Sequence, residues 1–354
     1  MKKLFFSLSI TFVILVITNI SWIGVNIYMF VVHGIESIVS GETLIENIYY
    51  SMYIKWILFA DLIWIFAWFA YILQRKSYKT NSDLHYLQYK IIEDPKICII
   101  IPTYNEELAI GNVVKEFSNQ QFVKHVIVVD NNSNDRTVEI AKKHGATVIT
   151  KNENKGYSHS LVLGLNEALK TDSNIIGTVE ADGTFNSYDL EKMIPYLNNC
   201  DMVIGSRQNQ VITEKGNQNS GFFVWANFVL AKLIQMKYLS LEHMGIVNLS
   251  DVGCVYRIIK RDALEKIIKN LTYPDTDKPI GGVGIGLSIT MFGIENNLKI
   301  IEIPVTFNKR IGKSKLSGAG TGKIIKIGLK FLWLILVCLL YTSDAADEGL
   351  GVDL

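Results

Sequence analysis

Apolar positions in the central part of this chain come in short β-branched runs that stop abruptly at acid or amide residues. Ile97-Cys98-Ile99-Ile100-Ile101 runs into Pro102-Thr103-Tyr104-Asn105-Glu106-Glu107. Val126-Ile127-Val128-Val129 runs into Asp130-Asn131-Asn132-Ser133, and Ile175-Ile176-Gly177-Thr178-Val179 into Glu180-Ala181-Asp182. Unbroken runs of this kind predict buried parallel strands. Between them the period lengthens to that of helices, predicted over Glu106 to Asn119, Val138 to His144, Tyr157 to Lys170 and Tyr188 to Leu197. Further strands are expected at Ala146–Thr150 and Met202–Gly205, and further helices at Phe222 to Lys237, Arg261 to Asn270 and Ile285 to Asn297. Lys299–Ile303 and Val305–Phe307 are expected to close the sheet as a strand pair. The alternation predicts an α/β domain with a doubly wound, mostly parallel sheet, whose ligands sit beyond the carboxyl ends of its strands.

Outside this region the pattern changes. Leu4 to Val32 carries no formal charge, and a second apolar stretch runs from about Ile48 to Leu73. A bilayer needs about 20 apolar residues, so both can span it. Lys2-Lys3 and Arg75-Lys76 flank the pair, whereas residues 33–47 hold Glu36, Glu42 and Glu46 and no Lys or Arg. Basic flanks favour the cytoplasmic side, which predicts a transmembrane hairpin in residues 1–80 and a cytoplasmic domain over 95–320. Asp61 falls inside the second span, where pairing with Lys55, Asn19 or Asn26 is the simplest expectation. Residues 322–341 open as a basic amphipathic stretch, Gly322 to Lys330, and continue into an apolar run too short to span. They read as an interfacial or truncated membrane helix, followed in 342–354 by a tail that looks non-native.

The mean hydropathy of +0.23 agrees with a membrane protein. A net charge of +1 across 354 residues argues against a nucleic-acid partner. The four cysteines are scattered, with no paired spacing and no neighbouring histidines, so they read as reduced, buried thiols of a cytosol-facing protein.

Candidate chemistry concentrates at the strand ends. Glu180 and Asp182 flank one small residue, Ala181, so that both carboxylates reach one divalent cation. Oxygen-only ligands favour Mg²⁺ or Mn²⁺, which would stabilise a departing diphosphate. Asp130 ends the neighbouring strand, and the adjacent Asn131, Asn132 and Asn134 include turn formers. Two glycine clusters are decoys. Gly281-Gly282-Val283-Gly284-Ile285-Gly286 follows no clear strand, and Gly318-Ala319-Gly320-Thr321-Gly322-Lys323 lacks the spacing and hydroxyl of a phosphate loop.

Together, Pro102-Thr103-Tyr104-Asn105-Glu106, the segment Val128-Val129-Asp130-Asn131-Asn132-Ser133-Asn134-Asp135-Arg136-Thr137 and Glu180-Ala181-Asp182 resemble the family 2 glycosyltransferases, which have a GT-A fold. The resemblance continues through Gly205-Ser206-Arg207, Ser250-Asp251-Val252-Gly253-Cys254 and Pro304 to Leu316, the last like that of polyprenyl-phosphate sugar transferases. It implies that Pro102, Tyr104, Glu106, Asp130 and Ala181 bind a nucleoside diphosphate sugar. Asp182 would be the direct metal ligand, with Glu180 beside it. Arg207, Arg310, Ser314 and Lys315 would meet the phosphate of a polyprenyl phosphate or other lipid acceptor at the membrane. A solvated basic flank of the membrane helix is the plainer reading of Arg310 and Lys313 to Lys315. Asp251 is the candidate base if the acceptor is a hydroxyl, and a helix or turn cap otherwise. Glu180 stands where that subgroup usually has Asp, and Thr184 where a Gln often completes the metal shell; no arginine occurs from Phe222 to Asn227. The implied activity is inverting sugar transfer at the cytoplasmic leaflet. A polysaccharide or sugar-hydroxyl acceptor, and a degenerate nucleotide-sugar-binding protein without turnover, are the alternatives.

Overall fold

The computed structural model describes residues 86–218, 221–238, 247–273, 276–280, 282–312 and 321–336, with 21, 24–25, 27–36, 38–41, 59, 62–63 and 66 from the N-terminal part. The chain divides into two compact units, residues 78–335 and residues 1–77 with 336–354. In the second of these, residues 27–36 and 38–40 are helical and largely exposed. Among the described residues no helix is long and apolar enough to cross a membrane. Most of both predicted spans, Asp61 and the tail 342–354 lie outside the described residues.

The larger unit is a seven-stranded sheet in the order β3-β2-β1-β4-β6-β5-β7. Its strands are β1 (Ile97–Thr103), β2 (Val123–Asp130), β3 (Thr147–Thr150), β4 (Ile175–Thr178), β5 (Met202–Ser206), β6 (Arg257–Lys260) and β7 (Ile300–Pro304). Every residue of β1 is buried, as a strand covered on both faces must be. Its parallel partners are β2 and β4. The helices are α1 (Ile110–Ser118), α2 (Thr137–Lys143), α3 (Tyr157–Ala168), α4 (Asp189–Met193), α5 (Gly221–Lys237), α6 (Arg261–Ile267), α7 (Ile285–Glu295) and α8 (Thr321–Leu336). On the sheet, α3 packs so closely that a Cβ on Gly164 would lie 2.3 Å from Ile100 Cγ2.

Three expectations are corrected. The sheet contains β6, antiparallel to both β4 and β5, where no strand was expected. The closing pair is a single strand, β7, parallel to β5, and Phe307 forms only isolated bridges. Helix α1 begins at Ile110, not at Glu106, because the backbone there is captured by the loop after β2. Glu106 N–H donates to Thr137 Oγ1 at 2.8 Å, and Glu107 accepts from Arg136 N–H at 3.1 Å. The first glycine decoy is a short 3₁₀ turn, Gly282–Gly284, leading into α7. Cys98, Cys200 and Cys254 are buried free thiols.

Candidate active site

The carboxyl ends of β1, β2 and β4 converge through their loops. Asn105 and Asn132 take the left-handed conformation, with φ of 52° and 66°, which short amide side chains tolerate. Asn105 N–H donates to Ser133 Oγ at 2.9 Å, and Asn134 N–H returns to Asn105 Oδ1 at 2.8 Å. Asn132 is therefore a turn former. Asn131, in contrast, ties the turn to the loop before α3 by accepting from Lys155 N–H at 3.1 Å. Asp130 is fully buried and accepts from Ser133 N–H at 3.1 Å, so its carboxylate fixes the turn. Pro102 is buried within β1 opposite Val129, and Tyr104 is half-buried beyond it.

At the end of β4, Asp182 is 2% exposed and accepts from Thr184 Oγ1 at 2.6 Å and Thr184 N–H at 3.1 Å. The turn uses Gly183 at φ +76°, and a Cβ there would strike Ile311 Cδ1 at 2.9 Å. Burial, and then the neighbouring Asp182 carboxylate, hold the Glu180 carboxyl well above its usual range, while Arg207 and Arg310 oppose this. Two adjacent carboxylates that resist joint ionisation in a low-dielectric setting suit a divalent cation. Thr184 Oγ1 stands beside both carboxylates, 2.6 Å from Asp182 Oδ1 and 3.4 Å from Glu180 Oε2. Among the described residues no group of three or more His, Cys, Asp or Glu forms a cage, so further oxygen ligands would come from the donor diphosphate and water.

Two arginines flank this pair. Arg207 follows β5 and forms a fork to Asp251, with Nε to Oδ2 at 2.7 Å and Nη2 to Oδ1 at 2.8 Å. Arg207 N–H and Gly253 N–H also donate to Asp251, at 3.0 and 3.2 Å. Burial alone would raise the Asp251 carboxyl, but the guanidinium charge and these donors hold it below its ordinary value. Both oxygens are thus committed. The structure gives Asp251 to Arg207 and to the turn at Gly253, the geometry of the cap reading. Arg310 donates through Nη1 to Asp182 Oδ2 and through Nη2 to Glu106 Oε1. Arg310 is consequently a member of the acidic cluster and not a solvated flank. Ser314 and Lys315 lie outside the described residues.

Three residues escape sequence reasoning. Tyr157 Oη is buried without a partner among the described residues, as is Oγ1 of Thr103 within the first strand end. Tyr157 lies within electrostatic reach of Glu180 and Asp182. Arg257, 2% exposed on the unforeseen β6, spends its donors on Gly286 O at 2.8 Å and Cys254 O at 2.6 Å. Lys151, 9% exposed beyond β3, has its ammonium 3.4 Å from His159 Nδ1, and burial lowers its pKa. Only the acid at the end of an apolar run leaves a local signal; these three lie in stretches with none.

Comparison with known proteins adds the following. The profile of the family described as "Glycosyl transferase family 2" matches residues 98–268. An uncharacterized protein of Methanocaldococcus jannaschii is 38% identical over 131 residues, which are 36% of this chain and 51% of that protein. The chain thus spans about half the length of that relative. Polyprenol monophosphomannose synthase of Mycolicibacterium smegmatis is 27% identical over 229 residues, covering 62% of this chain and 81% of the enzyme. Among solved structures, glucosyl-3-phosphoglycerate synthase of Mycobacterium tuberculosis, in complex with Mn²⁺, UDP-glucose and phosphoglyceric acid, gives a TM-score of 0.49 at 16% identity, over 68% of this chain and 80% of that one.

Proposed function

Since the chain belongs to glycosyl transferase family 2, we propose that this glycosyltransferase moves a sugar from a nucleoside diphosphate sugar to a polyprenyl phosphate at the cytoplasmic membrane surface, with inversion. The observation that carries the reading is the meeting of Asp182, Glu180 and Arg310 at the end of β4, with Arg207 within electrostatic reach of Glu180. This couples carboxylates suited to a cation with guanidinium groups suited to phosphate.

In the proposed reaction an oxyanion of the lipid phosphate attacks the anomeric carbon as the bond from that carbon to the diphosphate oxygen breaks on the opposite face. The electron pair leaves with the nucleoside diphosphate. A phosphate oxyanion already carries its nucleophilic pair, so no proton has to be removed from it. The commitment of both Asp251 oxygens to Arg207 and Gly253 supports a phosphate over a hydroxyl acceptor, which would require a base. Glu180 and Asp182 would hold Mg²⁺ or Mn²⁺, which when bound supplies charge neutralisation to the leaving diphosphate. Tyr104, Glu106 and Ala181 border the donor; Pro102 and Asp130 act through the backbone and turn that they fix. Arg207, pinned by Asp251, and Arg310, with Ser314 and Lys315, receive the acceptor phosphate.

The membrane location rests on the apolar stretches before residue 78, on the lysines of α8 (Lys323, Lys326, Lys330), and on its exposed Leu329 and Trp333. Exposed Phe222, Trp225 and Phe228 on α5 agree with it.

The test is donor binding. Purified full-length protein is heated with a panel of nucleoside diphosphate sugars, with and without Mn²⁺. A cognate donor at 100 times its Kd should stabilise the native state by about 2.7 kcal/mol. Asp182→Ala should lose the Mn²⁺-dependent part of the shift. No shift with any donor, in either condition, contradicts the proposal.

A further inference from the structure

Arg310 sits on the segment between β7 and residue 313, which is fastened by its backbone beneath the acidic cluster. Asn308 N–H donates to Thr184 O at 2.7 Å, Lys309 N–H to Glu214 Oε2 at 2.7 Å, and Ile311 N–H to Asp182 O at 3.0 Å. From this anchored segment the guanidinium reaches two different loops. One nitrogen meets Asp182 after β4 and the other meets Glu106 after β1. The side chains of Glu106 and Asp182 are 10% and 3% exposed, so these are largely desolvated pairs. The third nitrogen, Nε, is buried and has no partner among the described residues. Thus a fork built for an oxyanion is divided between two carboxylates, with one donor unspent.

The charge count explains why a cation stands there. Glu106, Glu180 and Asp182 all lie within reach of Arg310, and a desolvated carboxylate without a cationic partner is costly. Arg310 meets two of the three. The same Asp182 is a candidate ligand for a divalent ion, and a guanidinium and a dication held at one carboxylate repel each other, so they compete for it.

We propose that Arg310 is a placeholder cation. In the ligand-free protein it occupies Asp182 and closes the cleft between the loops after β1 and β4. A divalent cation arriving with the donor diphosphate displaces it. The freed guanidinium, including Nε, then turns to the phosphate of the second substrate. The inference rests on the reading under Proposed function, and the exchange is one of ionic partners, with no covalent bond made or broken.

The experiment is a Mn²⁺ titration of the full-length protein in detergent, followed by the electron paramagnetic resonance of free Mn²⁺, with no nucleotide or lipid present. Competition for one carboxylate is a coupling between two cations, so removing the competitor should tighten Mn²⁺ binding by about three- to tenfold in Arg310→Ala. Glu106→Gln removes the other anchor without touching Asp182 or Glu180, and should shift affinity in the same direction by less. Asp182→Asn should lose the binding. Thermal midpoints verify that each variant is folded, and Arg310→Gln, which removes the charge but keeps most of the length, substitutes if the alanine variant is not. Mn²⁺ bound at Asp182 with equal or lower affinity in Arg310→Ala overturns the placeholder role alone. Absence of Mn²⁺ binding in all of the proteins overturns the metal reading and the inference with it.

Discussion

Asp182 and Asp251 are both buried carboxylates beside an arginine, yet their surroundings give them opposite uses. Asp251 satisfies one Arg207 fork with both oxygens, so it holds a cation in place and exchanges nothing. Asp182 shares Arg310 with Glu106 and lies next to Glu180, so its partner is replaceable. Asp251→Asn should leave a buried guanidinium without its counter-charge, costing about 3–5 kcal/mol by analogy with other broken buried pairs. The pH dependence has a definite sign. The folded pKa of Asp251 lies below its ordinary value, so its stabilisation is present above the unfolded value and fades only as pH falls through the folded one. Denaturation of wild type and Asp251→Asn should therefore differ throughout neutral pH and converge in strong acid. Equal stability at pH 7 would mean that the pair is not what holds Arg207.

At the scale of elements, the strands that carry the acids were legible because burial on both faces leaves an unbroken apolar run, and the polar residue ending it marks the strand terminus. The β1, β2 and β4 ends were found in this way, with α2, α3, α5 and α7 from their period. The strand β6 was not, because Arg257-Ile258-Ile259-Lys260 is short and has a cation at each end. Its place in the sheet is set by pairing with β4 and β5, which no local pattern records. The start of α1 was misplaced for a related reason. Glu106 and Glu107 look like a helix N-terminus, but partners from residues 135–137 and Arg310, remote in sequence, claim them. The Arg207–Asp251 fork joins residues 44 apart, and no spacing rule predicts it. How closely the elements fit can be tested at Gly164, where an added Cβ would strike Ile100 in β1. Gly164→Ala should destabilise the protein by about 1–3 kcal/mol, measured by denaturant unfolding, as overpacked cores do. A gain in stability would show that α3 lies less tightly on β1.

For the whole molecule, a net charge of +1 conceals a strong local separation. Acids stand where β1 and β4 end, and Arg310, from beyond β7, pairs with Glu106 and Asp182 there, while Arg207, from beyond β5, is paired with Asp251 and acts on Glu180 through its charge. The proposed reaction uses that separation: cation-binding oxygens for one substrate and guanidinium groups for the phosphate of the other. The most direct measurement compares two acceptors. Full-length protein, Mn²⁺ and a labelled cognate donor are incubated with a polyprenyl phosphate or with the same polyprenol lacking the phosphate, and organic-phase label is counted. The account predicts lipid-linked label with the phosphate only, abolished by Asp182→Ala. Equal labelling of the unphosphorylated polyprenol, or labelling that survives Asp182→Ala, would contradict it.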